Sequence, residues 1–314
     1  MVVRRFDVVE KEMPEVGTRS RKLIDENYPT IVWEHSHVVV DENGTVMTYC
    51  VYEAPTEEIV REHASDLGKH TIDGIFEIAG DVTPAPRRLI LWDVDGTLVD
   101  SAKLGRDAFF EAFERVTGGP PSEMVPFAGR TDLEIALDML ETSGVDSAQE
   151  LLDHFEEALV ESMAARIDDL RTYGRALPGA DAALGRLQDE PGVVQSLLTG
   201  NVERNALIKL SAFGLARYVD FGAGAYGSDH RRRGELVAIA RRRAEERHGM
   251  RLESADVVLV GDTPLDVAAA LEGGARAVGV ATGPYDEHAL AAAGAHGVLR
   301  DLSDTEAVVR EVLA

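Results

Sequence analysis

The chain has 314 residues, 45% of them hydrophobic, and carries a formal net charge of −24. A chain of this length is sufficient for about two domains with buried cores. A surface this acidic repels nucleic acid and anionic lipid, so we expect no nucleic-acid partner and no membrane partner. It also repels anionic small molecules, so any site that binds them must supply its own positive charge.

Three features of the sequence bear on the cellular compartment. Cys50 is the only cysteine, so no internal disulfide can form. The longest apolar runs, such as Val257–Val260, are far shorter than the roughly 20 residues that a membrane span requires. The first residues contain no apolar core followed by a small-residue cleavage site. Together these features predict a cytoplasmic protein.

A short proline-containing segment divides the chain. Thr83-Pro84-Ala85-Pro86 places two prolines among small residues, and such a segment cannot continue a helix or a central strand. We therefore predict a first domain at 1–82, a linker at 83–87 and a second domain at 88–314.

The first domain alternates strand-like and helical stretches. Asn43-Gly44, between two strand-like runs, is typical of a hairpin turn, and Thr56 is suited to cap the start of a helix. The predicted order is β-α-β-β-α-β, that of a small ferredoxin-like α+β sandwich. The predicted strands are Val3–Val9, Ile31–Asp41, Val46–Glu53 and Gly74–Ala79, and the predicted helices lie around Thr18–Asn27 and after Ala54.

The second domain has the pattern of an α/β, doubly wound parallel sheet. Its apolar runs are continuous and separated by helical segments, as expected for parallel strands that are covered on both faces. From about Lys103 to Arg175 only helical patterning is present, which predicts a helical cap at about 102–175 inserted into a core formed by 88–101 and 176–314. The predicted core strands are Arg88–Trp92, Val193–Leu198, Val257–Val260 and Ala277–Val280.

Polar side chains follow three of these strands. Ligands of such sheets bind at the carboxyl ends of the strands, so we expect these groups to converge. Several carboxylates at one rim repel one another and require a cation, and oxygen ligands favour a hard ion such as Mg²⁺. The groups concerned are Asp93-Val94-Asp95-Gly96-Thr97, Thr199-Gly200-Asn201 and Gly261-Asp262-Thr263-Pro264-Leu265-Asp266.

These three segments resemble the first, second and fourth signatures of the haloacid dehalogenase superfamily, in the right order and at strand ends. The position of the cap is similar to that of the phosphoglycolate phosphatase and β-phosphoglucomutase group. The resemblance covers residues 88–314. It implies a Mg²⁺-dependent phosphatase, a phosphoric monoester hydrolase, that acts on a small phosphorylated metabolite through an aspartyl-phosphate intermediate.

The resemblance also implies a role for each signature residue. Asp93 would be the nucleophile, and Asp95 would be the acid and base of the two half-reactions. Asp93, the main-chain carbonyl of Asp95, and Asp262 would hold Mg²⁺. Asp266 is either a further metal ligand or an acid at a helix N-terminus. The residues implied in catalysis or in substrate binding around the phosphoryl group are Thr199, Gly200, Asn201, Gly96 and Thr97.

The third signature supplies a cation, and the sequence offers two candidates. The Lys-Pro pair usual in this signature is absent, and we assign Arg233 because it lies where the helix before the fourth signature begins. Lys209 is the rival, but ten residues of helix beyond Thr199 would put it roughly 12–15 Å from the strand end. In the cap, Arg130 lies in a loop that resembles the substrate-facing loop of the family, and it could contact substrate.

The first domain resembles a small ferredoxin-like family, some of whose members are labelled nickel-binding. Its two supporting stretches are Trp33–His37 and Tyr49–Pro55. A transition-metal site, such as one for Ni²⁺, is one interpretation; packing in a homodimer that forms through this domain is the other. The candidate ligands are His35, His37, Cys50, His63 and His70.

Two alternatives to a phosphatase remain open for the whole chain: a phosphomutase, and a metal-sensing protein with a regulatory hydrolase domain.

Overall fold

The computed structural model describes residues 1–77, 88–145, 148–249 and 251–314. The linker predicted at 83–87 lies outside these residues. Contacts between Cα atoms divide the chain into two units, residues 1–83 and 84–314, and each unit is described by itself. Among the described residues, no helix is both long enough and apolar enough to cross a membrane.

The first unit has the predicted β-α-β-β-α-β order. Its antiparallel sheet has the strand order β2-β3-β1-β4. The elements are β1 (Val2–Phe6), α1 (Met13–Asn27), β2 (Val32–Val40), β3 (Val46–Glu53), α2 (Glu57–Leu67) and β4 (His70–Ile75). The small α+β fold predicted for this domain is therefore confirmed.

Local interactions fix where the elements of the first unit begin. Thr56 caps α2 as predicted, because its side chain accepts a hydrogen bond from the backbone N–H of Ile59. The prediction of a last strand at Gly74–Ala79 was wrong in position: β4 starts at His70. Left-handed backbone at Lys69 (φ 58°) turns the chain directly out of α2, and the His70 ring then stacks on Phe6 at 4.9 Å.

The second unit is a parallel sheet with helices and an inserted cap. In chain order its main elements are β5 (Arg88–Trp92), β6 (Val99–Asp100), α3 (Leu104–Thr117), α4 (Asp132–Thr142), α5 (Ala148–Ala164), α6 (Ile167–Tyr173), β7 (Arg175–Ala176), α7 (Ala180–Gln188), β8 (Val193–Leu197), α8 (Glu203–Ala212), α9 (Arg233–His248), β9 (Val257–Gly261), α10 (Pro264–Glu272), β10 (Arg276–Val280), α11 (Glu287–Ala292), β11 (Gly297–Leu299) and α12 (Thr305–Leu313).

The five core strands run parallel in the order β11-β10-β9-β5-β8. Both faces of the interior strand β5 are covered, since Leu89, Ile90, Leu91 and Trp92 are all fully buried. This is the doubly wound α/β sheet that the sequence predicts. The chain order reverses between β5 and β9, so a crevice for ligand is expected outside the carboxyl ends of these two strands.

Helices α3–α6 form the predicted cap. The chain leaves the core at β6 and returns at β7, and these two short strands pair antiparallel through Val99–Ala176 and Asp100–Arg175. The apolar faces predicted for the cap pack against each other: the Phe109 and Phe155 rings lie 4.8 Å apart. A hydrophobic cluster that extends from the cap helices to Val202 and α8 thus holds the cap together and packs it against the core.

Candidate active site

Three carboxylates meet at the switch point of the sheet. Asp93 follows β5, Asp262 follows β9, and Asp266 lies in the first turn of α10. One oxygen from each side chain lies within 4.8 Å of the other two. Among the described residues, this is the one group of three or more His, Cys, Asp or Glu side chains arranged closely enough to hold a metal ion.

Arg233, the first residue of α9, links two of these carboxylates. Its Nη2 donates to Asp93 Oδ1 at 2.7 Å and also to Asp266 Oδ1. The Arg233 side chain is only 8% exposed, so its charge acts on these carboxylates with little screening by solvent. The cation assigned to the third signature therefore lies beside the proposed nucleophile.

Asp266 has a second set of contacts. Its Oδ2 accepts hydrogen bonds from the backbone N–H of Thr263 at 3.0 Å and from the Thr263 hydroxyl at 2.7 Å. The two residues form a capping box at the start of α10. Because both of its oxygens are bonded within the protein, Asp266 fits a role in orienting Arg233 and ending the helix better than a role as a direct metal ligand.

Asp262 is surrounded by small groups. Thr97 Oγ1 donates to its Oδ1 at 3.2 Å. A Cβ built on Gly96 would lie 2.5 Å from Asp262 Oδ2, and one built on Gly283 only 1.7 Å from the same oxygen. Any side chain at either glycine would therefore collide with the carboxylate and take the space beside it.

Asp95 points away from the other carboxylates toward a separate group of partners. Its Oδ2 accepts from Lys209 Nζ at 2.5 Å and from Asn201 Nδ2 at 2.9 Å, and its Oδ1 accepts from the Ser101 hydroxyl at 2.9 Å. The expected 12–15 Å gap between Lys209 and the strand ends is thus wrong for its ammonium group. Lysine on a helix points back toward the helix N-terminus, and its long stem spans the remaining distance.

The pKa values of the carboxylates differ because their surroundings differ. Burial raises the pKa of Asp93 to about 7, although Arg233 opposes the shift. Burial, together with the charges of Asp93 and Asp266, raises the pKa of Asp262 to about 8. Burial acts in the same direction on Asp95, but the charge of Lys209 and the hydrogen bonds from Lys209, Asn201 and Ser101 together outweigh it, and the net effect lowers the pKa of Asp95.

A divalent cation fits this arrangement. Lys209 balances Asp95, and Arg233 offers one positive charge to three carboxylates, which leaves an excess of about two negative charges. Burial is the main cause of the raised pKa values of Asp93 and Asp262, the neighbouring carboxylates add to it, and a bound cation would oppose both effects. The donors are all oxygens, which suits a hard ion such as Mg²⁺.

The second-signature loop closes another side of the site. Thr199 is fully buried, and its Oγ1 accepts from Asn201 Nδ2 at 2.8 Å. A Cβ on Gly200 would lie 2.0 Å from the carbonyl oxygen of Arg130, so only glycine allows the cap loop to pack against this turn. The loop is therefore shaped by contacts from both core and cap.

A cavity of about 530 Å³ opens between the core and the cap, a volume that suits a small metabolite. Its lining includes Asp93, Asp95, Gly96, Thr199, Gly200, Asn201, Lys209, Arg233 and Asp262. Thr97 differs from the expectation that it binds substrate: it is fully buried and its hydroxyl faces Asp262.

Arg130 also lines the cavity, but its guanidinium is engaged within the cap. Its Nη2 donates to Glu134 at 2.9 Å and to Asp138 at 2.5 Å. Contact between Arg130 and substrate stays a prediction, and these two carboxylates would compete with any anionic ligand.

Sequence reasoning missed several residues of the site. Ser101 bonds to Asp95, and the Thr282 hydroxyl donates to the carbonyl oxygen of Gly96 at 2.5 Å. Thr282 and Gly283 follow the end of β10 after one residue, Ala281. The strand-end rule that found the other signatures applies equally to this fourth strand and would have identified both residues.

The candidate metal ligands of the first unit do not form one cluster. His35 and His37 share a sheet face as predicted, with ring centroids 5.4 Å apart. Their neighbour Ser36 pairs with Cys50, which puts Cys50 on the opposite face. His63 is buried on α2 and bonds to Ser20, while His70 stacks on Phe6. A single site made of all five predicted residues is therefore wrong.

Residues 90–271, more than half of the chain, match the family described as haloacid dehalogenase-like hydrolase. The chain belongs to this hydrolase family. Residues 1–78 match the family described as nickel responsive protein SCO4226-like. No curated protein matches the chain significantly.

Solved structures of similar fold cover the hydrolase part of the chain. A hydrolase from Pseudomonas syringae has 22% sequence identity and a TM-score of 0.53, with 72% of this chain and 98% of that one covered. A predicted phosphatase from Clostridium acetobutylicum has 20% identity and a TM-score of 0.53, covering 71% and 99%. A proposed β-phosphoglucomutase from Bacteroides vulgatus has 18% identity and a TM-score of 0.53, covering 73% and 90%. At these identities the likeness concerns the fold.

Proposed function

We propose that residues 88–314 form a Mg²⁺-dependent phosphatase that hydrolyses a small phosphorylated metabolite through an aspartyl-phosphate on Asp93. The observation that carries this proposal is the pairing of Asp93 with Arg233 at 2.7 Å beside Asp262, on the wall of a cavity. Such a carboxylate is fixed in place, and the positive charge needed for phosphoryl transfer lies next to it.

In the first half-reaction, an oxygen of Asp93 attacks phosphorus as the bond to the ester oxygen breaks. Asp95 gives its proton to the departing oxygen, so that the product leaves as an alcohol. Arg233 stabilises the negative charge that spreads over the phosphoryl oxygens. The branch of the family that removes halogens lacks the second aspartate of the first signature, so Asp95 favours phosphoryl transfer over dehalogenation.

In the second half-reaction, Asp95 takes a proton from water as the water oxygen attacks phosphorus. The bond between phosphorus and the Asp93 oxygen breaks, inorganic phosphate leaves, and both carboxyl groups return to their starting state. Asp93, Asp262 and the main-chain carbonyl of Asp95 would hold Mg²⁺. When bound, Mg²⁺ neutralises the carboxylate and phosphate charges that otherwise repel each other.

The proposal is tested with the full-length protein and a panel of phosphorylated metabolites together with an aryl phosphate. We expect phosphate release that requires Mg²⁺, stops with excess chelator, and is not restored by Ca²⁺, whose looser coordination misplaces the attacking carboxylate. Full activity in excess chelator, or no release from any substrate with Mg²⁺ present, would contradict the proposal.

A phosphomutase is the second candidate, because the same two half-reactions return the phosphoryl group to a sugar when a sugar hydroxyl replaces water. One of the structures of similar fold is described as such an enzyme. Supplying a sugar phosphate in ¹⁸O-labelled water separates the two functions. A phosphatase releases phosphate that carries ¹⁸O, whereas a mutase yields an isomeric sugar phosphate without the label.

For the first unit we propose a transition-metal role, supported by the match of residues 1–78 to the nickel responsive family. His35 and His37 are the candidate ligands, because they share one face of the sheet, and a homodimer through this face would bring four histidines together. Calorimetric titration with Ni²⁺ should show binding that is lost in His35→Ala/His37→Ala, and light scattering should show a dimer.

We also propose a cytoplasmic location, because Cys50 has no second cysteine in the chain to pair with.

A further inference from the structure

Lys209 is a buried cation that the phosphatase mechanism above does not use. It lies on α8 with only 4% of its surface exposed. Burying an ammonium group is unfavourable unless other groups replace its water, so the contacts of Lys209 need an explanation. Those contacts are made with two residues of the site: Asp95 at 2.5 Å and Asn201 at 2.6 Å.

The three residues form a closed triangle of hydrogen bonds. Lys209 Nζ donates to Asp95 Oδ2 and to Asn201 Oδ1, and Asn201 Nδ2 donates back to the same oxygen of Asp95 at 2.9 Å. Each pair in the triangle is therefore bonded. A closed set of bonds with a charged member restricts the rotation of the Asp95 side chain far more than a single contact does.

The surroundings leave room for this triangle. Gly105, in the first turn of α3, faces Lys209, and a Cβ built there would lie 3.1 Å from Lys209 Nζ. Ser101 supports the other oxygen of Asp95 at 2.9 Å. A cap glycine thus borders Lys209, and a core serine holds the second oxygen of Asp95.

We propose that Lys209 is a positioning residue, which holds the Asp95 carboxyl group in the orientation required for proton transfer to the leaving oxygen. This inference rests on the proposed phosphatase function. Lys209 is distinct from Arg233: Arg233 contacts Asp93 and acts where phosphorus is attacked, whereas Lys209 contacts Asp95 and acts where the proton is transferred.

Leaving groups of different basicity test this role, because only a basic leaving oxygen needs a well-placed proton donor. The experiment compares kcat/KM for p-nitrophenyl phosphate, whose leaving group departs without protonation, with kcat/KM for an alkyl phosphate. Lys209→Met keeps the apolar stem and removes the charge. We expect it to lower kcat/KM for the alkyl phosphate by about 10- to 100-fold, within the range of acid catalysis, and to change the aryl phosphate rate little.

A double-mutant cycle shows whether Lys209 acts through Asp95. Asp95→Asn should lose more activity on the alkyl than on the aryl phosphate, and adding Lys209→Met to it should cause little further loss. Lys209→Arg should regain part of the alkyl phosphate activity, because a cation is restored. Circular dichroism and a thermal melt confirm that each variant is folded.

Two results would overturn the inference. One is an equal loss on both substrates in Lys209→Met, which would indicate damage to the second-signature loop through Asn201. The other is a fully additive double mutant, which would mean that Lys209 acts independently of Asp95. If Lys209→Met does not fold, Lys209→Arg and Asp95→Asn are compared on both substrates, and an alkyl-selective loss in Lys209→Arg supports the role. Failure of the phosphatase proposal differs from failure of the Lys209 inference, because in the first case the wild-type protein would hydrolyse neither substrate.

Discussion

At the scale of single residues, the site separates two pairs of opposite charge. Arg233 pairs with Asp93, and Lys209 pairs with Asp95, so the proposed nucleophile and the proposed acid contact different cations. The two aspartates are only two residues apart in the chain, yet their pKa values shift in opposite directions. A nucleophile must be ionised, and bound Mg²⁺ would favour the ionised form of Asp93 and so counter its raised pKa.

Arg233→Ala should lower kcat by on the order of 10²–10³, because it removes the group that stabilises charge on the phosphoryl oxygens. The loss should be similar for aryl and alkyl phosphates, unlike the loss expected for Lys209→Met. Arg232→Ala is the matched control, since the Arg232 side chain is 72% exposed and its closest carboxylate contact is 3.8 Å. Near-normal kcat in a folded Arg233→Ala protein would show that the third-signature cation lies elsewhere.

The carboxylates should also make the effect of Mg²⁺ on stability depend on pH. In the folded protein the pKa values of Asp93 and Asp262 are raised from 3.8 to about 7 and about 8. A carboxyl group whose pKa is higher in the folded protein than in the unfolded chain stabilises the fold at low pH. That stabilisation is lost as the pH rises through the pKa of the folded protein. Mg²⁺ offsets the loss by binding the ionised form.

We therefore expect Mg²⁺ to raise the melting temperature of the protein more near pH 8 than at about pH 5, where protons already neutralise Asp93 and Asp262. Differential scanning fluorimetry with Mg²⁺ and with chelator, at both pH values, measures this. Asp262→Asn should remove most of the Mg²⁺ effect. A shift of the same size at both pH values would argue against a metal held by these carboxylates.

At the scale of elements, each functional group is fixed by the end of a strand or by the first turn of a helix. Asp266 is an example, since the Thr263–Asp266 capping box both starts α10 and holds the carboxylate that Arg233 contacts. The stability of one helix end is thus coupled to the geometry of the site.

Thr263→Ala tests this coupling. Loss of a helix cap should lower the free energy of unfolding by about 0.5–2 kcal/mol and should also lower kcat, because Asp266 is released. Asp304→Ala is the matched control: Asp304 caps α12 by accepting from the backbone N–H of Ala307 at 3.0 Å. We expect it to destabilise the protein by a similar amount with unchanged kcat. If Thr263→Ala and Asp304→Ala have the same kcat, the cap of α10 does not influence catalysis and the proposed coupling is wrong.

The elements also show why some features can be predicted from the sequence and others cannot. The four apolar strands and the cap helices follow from local hydrophobic patterns, which is why their positions agree with the structure. Strand β11 was missed, because Gly297–Leu299 has only three residues and no distinct pattern. The place of Lys209 was misjudged because rise per residue describes a helix axis, whereas contact depends on the direction and length of the side chain.

At the scale of the whole molecule, a net charge of −24 contrasts with the local cations of the site. Arg233 and Lys209 are both buried beside the cavity, where their charges are screened less than charges on the surface. These two cations offset only part of the carboxylate charge of the site, and bound Mg²⁺ would supply the remaining positive charge that an anionic substrate requires.

Residues 88–314 should fold and hydrolyse phosphate esters without the first unit, because every residue assigned to the mechanism lies in this part of the chain. The measurement compares kcat/KM of the truncated and full-length proteins, with circular dichroism as the control for folding. A truncated protein that is folded but inactive would mean that the first unit contributes to the site or to an oligomer that forms it.

In the proposed mechanism, Asp93 carries the phosphoryl group during turnover. The direct measurement is to quench the full-length protein with acid while it hydrolyses substrate, reduce it with borohydride, and map the peptides by mass spectrometry. Borohydride converts an aspartyl-phosphate to homoserine, so we predict homoserine at position 93 in samples with substrate and none in samples without it. Unmodified Asp93 in an enzyme that is actively turning over, or homoserine at another aspartate, would contradict the account.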